Sequence, residues 1–241
     1  FVVTCDEDLW RRCRDEDFFG ISSLAQRPIK PWSYQGYDFP VEGAHARTIA
    51  SAVSFTSYAI PGLHYTHEDT PALNVASELF ENKTLHKRIR EQGGAYGSGA
   101  VNNPMRGVFY FYTYRDPHIV TSLGAMREAV EEIANGNFDA RELEEAKLGI
   151  VQGLDSPISP GSRGIVAYSW QREGKTWEMR QASREKTLSL TREDIQKAVK
   201  KHLLERFDEG VTVSFADKTF LEQENAVLKQ KGVKPLEIKT L

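Results

Sequence analysis

R-I-R-E-Q-G-G-A-Y-G-S-G-A, residues 88 to 100, ends one helix and begins something composition does not explain. The helix opens at Thr70-Pro71, with threonine as N-cap and proline at the first helical position. Its apolar residues Leu73, Ala76, Leu79, Phe80, Leu85 and Ile89 recur at helical spacing, and Gly93-Gly94 stops it. Arg88 and Arg90 fall in the last turn, where cations meet the negative end of the helix dipole. A glycine cap explains one or two of the glycines at 93, 94, 97 and 99, not all four around Tyr96. A second reading is a site. Glycine lets another chain approach the backbone, a tyrosine hydroxyl can donate to a developing oxyanion, and a guanidinium can hold main-chain carbonyls. On these residues alone both readings stand.

Outward from this stretch, V-F-Y-F-Y-T-Y (108–114) predicts a strand with aromatics on both faces. The alternating run from Thr48 to Tyr58 predicts another, and V-T-V-S-F (211–215) a third. The opening residues 1–5 read as a buried strand, followed by a helix up to Gly20. Helices are expected over 118–134, from the Asp139/Glu142 capping box through Leu154, in two stretches up to Thr187, and from the Thr191/Asp194 cap to Phe207. The E-E-A-K run of 144–147 reads as a solvated face, and Arg115-Asp116 as a strand-to-helix turn with Pro117 at the first helical position. Tyr110, Tyr112 and Tyr114 either line a chamber or pack under helices. The layout is α+β: a mostly antiparallel mixed sheet covered by several helices on one side. Residues 1–26 form a preceding strand and helix, the Pro/Gly-rich 27–44 a linker, and 45–241 the main domain.

Composition narrows the function. A net charge of -3 gives no basic surface for nucleic acid. No apolar run is long enough to span a membrane, and two cysteines, Cys5 and Cys13, make no disulfide framework. His64 and His67, with Glu68 beside them, sit in a proline- and glycine-bounded loop and read as solvated, so no metal site is expected. H-x-x-E-H, H-E-x-x-H, G-x-S-x-G and the phosphate-loop pattern are all missing from the sequence. The chain starts F-V-V-T-C, apolar and β-branched without a polar lead-in, and is read as a piece of a longer protein.

Residues 88–100 resemble the arginine–tyrosine motif in the C-terminal half of the pitrilysin/insulinase family of zinc metallopeptidases, most closely its presequence-protease subgroup. G-V-F-Y-F-Y-T-Y-R-D-P (107–117) is similar to that subgroup's glycine–aromatic strand, and E-L-E-E-A-K-L-G-I-V-Q-G-L-D-S-P-I-S-P-G-S-R-G (142–164) to its helix, turn and following helix. The resemblance covers roughly residues 45–217, with three motifs in order.

It implies the metallohydrolase-like α+β domain of that family and a peptidase acting on unstructured peptides. Tyr96 would bind the scissile carbonyl and Arg90 the substrate main chain. Zinc would belong to a missing N-terminal half, the partner that closes over the peptide, with none held by this chain. A fragment without the zinc motif is expected to be inactive alone. The alternative is a non-catalytic partner or scaffold subunit of the same fold. Cytoplasm, an organelle lumen and a bacterial compartment all remain open.

Overall fold

Ser54, Thr56, Tyr58 and Ile60 are buried at every second position of one strand, β2 (Ser54–Pro61), so a single face of the sheet meets the core. The computed structural model describes residues 2–25, 27 and 43–240. Two units result, Glu42–Ser156 with Trp177–Leu241, and Phe1–Val41 with Pro157–Thr176.

The larger unit holds a six-stranded sheet. Its other strands are β1 (His45–Thr48), β3 (Gly97–Asn103), β4 (Val108–Asp116), β5 (Val211–Ala216) and β6 (Glu237–Thr240). The order is β3-β4-β2-β5-β1-β6. Pairings β3/β4, β4/β2 and β2/β5 are antiparallel, whereas β5/β1 and β1/β6 are parallel. The mostly antiparallel mixed sheet is therefore observed.

The strand expected from Thr48 to Tyr58 is split. Ser51 breaks it: its N–H donates to the Ile49 carbonyl at 3.0 Å and its hydroxyl to the Val53 carbonyl at 2.8 Å. That turn carries the chain past the end of β5, which β1 and β2 then flank on opposite sides. No strand was expected where β3 lies. The glycine-rich stretch is an edge strand, and Gly99 leaves room for the Tyr112 ring, which a Cβ there would approach to 2.8 Å and have to displace.

Helix α3 (Thr70–Leu79) runs into a segment, Phe80–Gln92, with i→i+5 hydrogen bonding. Leu73, Phe80, Leu85 and Ile89 are all buried there, and Phe80 packs on Phe109 and Phe111 of β4 at 6.0 and 5.5 Å between ring centroids. Thr70 is not the cap: its hydroxyl donates to the His64 carbonyl at 2.7 Å, and Asp69 precedes the helix.

α4 (Val120–Ala134) starts three residues beyond Pro117, not at it. Its first amides, from Ile119 and Val120, donate instead to the Glu224 carboxylate at 2.8 and 2.7 Å. α5 (Ala140–Asp155) and α8 (Arg192–Val199) begin with the capping boxes expected at Asp139/Glu142 and Thr191/Asp194. α7 (Trp177–Ser189) and α9 (Lys218–Gln230) complete the unit's helices among the described residues. Lys147, expected on a solvated face, is buried, and its ammonium donates to the Leu188 carbonyl at 3.0 Å.

The smaller unit comprises α1 (Glu7–Asp15), the distorted turn α2 (Asp17–Gly20) and α6 (Arg163–Arg172). Described residues 2–5 form no strand, contrary to the reading of 1–5; Thr4 instead packs where a Cβ on Gly164 would fall. The linker expected over 27–44 lies almost wholly outside the described residues. No described helix is long and apolar enough to cross a membrane.

Candidate functional site

The helix that carries Arg90 ends abruptly. Gly94 adopts a left-handed φ of +79°, the Gly94 N–H donates to the Arg90 carbonyl at 3.0 Å, and the Ala95 N–H to the Ile89 carbonyl at 3.1 Å. The reversal buries Ala95 and leaves Tyr96 69% exposed, its phenol free to meet a ligand. One amide further on, the Tyr96 N–H donates to the Arg115 carbonyl at 3.3 Å, which joins the helix end to the end of β4.

Arg115 itself is held at φ +50°, a conformation that costs a non-glycine residue about 1–2 kcal/mol. Its neighbour explains how that persists. Asp116 is fully buried, and its carboxylate accepts the His118 N–H at 2.9 Å and the Ser122 hydroxyl at 2.6 Å, while its carbonyl accepts the Ser54 hydroxyl at 3.0 Å. Burial pushes the Asp116 carboxyl above its ordinary value, with the Ser122 and His118 bonds pulling the other way.

Arg90, Tyr96 and Arg115, with His86 and Glu91, border one open concavity of about 630 Å³. Arg90 donates from Nη1 to His86 Nε2 at 3.0 Å, and His86 Nδ1 lies 3.4 Å from Glu91 Oε1. The Tyr96 ring meets Tyr114 edge-on at 5.8 Å, and the Arg115 guanidinium stands 5.7 Å from the same Tyr114 ring. Two guanidiniums and an exposed phenol suit main-chain carbonyls or carboxylates. They do not suit a metal: one imidazole and one carboxylate beside two fixed cations make no divalent-ion site.

Sequence reasoning placed Arg90 and Tyr96 here but gave Arg115 only a turn. No local signal could have shown otherwise, because the positive φ coincides with a register shift between β2 and β4, where Ser54 pairs with Asp116 and Phe55 with Tyr114 and Arg115 is passed over. Tyr112 and Tyr114 lie on the half-exposed face of β4, away from the buried Phe109 and Phe111. Burial, and then the Glu81 carboxylate, pushes the Tyr112 phenol up.

The two loop histidines diverge. His64 is exposed and meets the Thr66 hydroxyl, whereas His67 lies beside Asp69 and the buried His202. The reading of both as solvated missed this cluster, because His202 is 133 residues from Asp69.

Among known families, the Peptidase M16 inactive domain matches residues 22–150, more than half of the chain, and the chain belongs to that family. Its relatives include the mitochondrial presequence protease of Saccharomyces cerevisiae, 37% identical over 221 residues, covering 88% of this chain and 22% of that protein. The Yarrowia lipolytica mitochondrial presequence protease is 33% identical over 206 residues, covering 85% and 20%. The chain thus spans about a fifth of the length of these relatives. The peptidase M16 inactive domain from Pseudomonas fluorescens superposes with a TM-score of 0.59 at 18% identity, covering 73% of this chain and 43% of that one. A chain of complex III2 from Candida albicans gives 0.58 at 14%, covering 73% and 46%. These last two likenesses concern fold alone.

Proposed function

We propose that the chain is the C-terminal domain of a zinc metalloendopeptidase that degrades unstructured peptides. The observation that carries this is the shared concavity: Arg90 and the exposed Tyr96 border one opening although a left-handed glycine separates their segments. In this reading the Arg90 guanidinium holds main-chain carbonyls of an extended peptide, and the Tyr96 hydroxyl donates to the scissile carbonyl oxygen as it gains charge. Zinc, supplied by an N-terminal half that supplies the remaining wall of the site, would polarise that carbonyl and activate water. The chain alone is then inactive, in keeping with the family's designation as an inactive domain. The mitochondrial designation of the relatives supports an organelle interior as the compartment.

Tyr96→Phe in the intact protein tests the assignment. It is expected to lower kcat by roughly 100- to 1,000-fold, the usual cost of one oxyanion donor, with KM for a peptide little changed. Unchanged kcat would sink the role. Absence of peptidase activity from the intact wild-type protein would instead favour the second reading, a non-catalytic partner or scaffold subunit of the same fold.

A further inference from the structure

We propose that His67, Asp69 and His202 form a binding site for one divalent transition cation, zinc or an ion of similar preference. One donor atom from each of the three side chains lies within 4.8 Å of the others. Two imidazoles and one carboxylate are the donor set such ions select over calcium or magnesium. His202 is buried, and its Nε2 already sits 2.8 Å from Asp69 Oδ2. The His67 ring stands edge-on to the His202 ring at 5.3 Å, its Nδ1 accepting the Asp69 N–H at 3.0 Å.

A second observation sets this cluster apart from an ordinary helix start. Asp69 immediately precedes α3, where an aspartate usually caps the first amides, yet its side chain makes no capping hydrogen bond. The carboxylate is committed to His202 instead. That forgoes the capping bond but keeps a negative charge beside the helix N-terminus, where it offsets the partial positive charge that would oppose a cation.

On binding, the ion takes the place of the hydrogen shared by His202 Nε2 and Asp69 Oδ2, and the displaced proton passes to His202 Nδ1 or to water. Three protein donors leave a fourth position for water or for Glu68, which with His67 lines an adjoining cavity of about 530 Å³. The bound ion cross-links the loop before α3 to the Lys200–Leu204 segment that follows α8. This site is independent of the peptidase reading.

The test compares zinc content and zinc affinity in the intact protein and in His67→Gln, Asp69→Asn and, as a control, His64→Gln. Wild type and His64→Gln are expected to bind one zinc more per polypeptide than the other two. Each of those two should lose more than the roughly 10–100-fold in affinity that removal of an outer-shell partner costs. Zinc should raise the unfolding midpoint of wild type and of His64→Gln by more than that of His67→Gln, each measured against its own metal-free midpoint. Cobalt(II) in place of zinc should give the visible absorption of one more four- or five-coordinate ion per polypeptide in wild type than in His67→Gln. Equal zinc content and affinity across all four proteins overturns the proposal, and so does the same loss in His64→Gln.

Discussion

The Tyr96 N–H donates to the Arg115 carbonyl at 3.3 Å, so the backbone of one candidate site residue is held by another that stands in a left-handed conformation. Substitutions at 115 separate backbone from side chain. Arg115→Gly relieves about 1–2 kcal/mol of conformational cost and gives back roughly 0.5–1 kcal/mol in chain entropy, for a net stabilisation of about 0–1.5 kcal/mol. Arg115→Val, equally without the guanidinium but β-branched, should cost more than roughly 2 kcal/mol. Urea unfolding of both variants checks this; equal stabilities would show that the positive φ is not what constrains the position.

Gly94 is the second left-handed point in the same site, with φ +79°. Gly94→Ala is expected to destabilise by about 1–2 kcal/mol in urea unfolding. It should also disturb the reversal that exposes Tyr96, so peptide turnover falls with it. A variant as stable as wild type would remove the glycine from the account of the site.

Asp116 gives a pH signature. Burial raises its carboxyl above the ordinary 3.8, so the native state holds that proton more tightly than the unfolded chain. Its contribution to stability is then fully present below about 3.8 and is lost as pH rises through the raised native value. Asp116→Asn lacks this component. The stability of wild type minus that of the variant, from urea midpoints across a pH series, should therefore fall as pH rises from the acid side, and parallel profiles would refute it.

The capping box of α5 is a purely local device, with Asp139 Oδ1 accepting the Glu142 N–H at 2.8 Å and Glu142 Oε2 accepting the Asp139 N–H at 2.8 Å. Asp139→Ala should cost about 0.5–2 kcal/mol, read from thermal or urea unfolding, with no change in ligand affinity at the Arg90–Tyr96 concavity.

What could be read from sequence was what neighbours in sequence decide. The two capping boxes, the helix carrying Leu73 to Ile89 and the aromatic strand β4 all follow from spacing within a few residues. β3 did not, since Gly97, Ser98, Gly99 and Ala100 have little strand preference and pair only because β4 offers an edge. The break at Ser51 was hidden because Ile49 and Val53 flank it and Ala50-Ser51-Ala52 holds no glycine or proline; only β5 shows why the chain must turn. Arg90 and Tyr96 were legible through a motif six residues apart, whereas Arg115, His202 and Asp69 acquire their neighbours through the tertiary fold.

The placement of β5 between β2 and β1, and of β1 between β5 and β6, bears on how the sheet comes into being. Thr56 pairs with Ser214, and His45 with Val213 and Glu237, contacts that close loops of well over a hundred residues. During synthesis the β2–β3–β4 region and its helices can gather first, but β1 has no partner until residues 211–216 emerge. Until then the exposed flank of β2 is an unpaired edge open to other chains. Assembly should therefore be slow for a domain of this size, and late steps that seat β5 and β1 are where crowding, heat or a chaperone would exert most influence on yield.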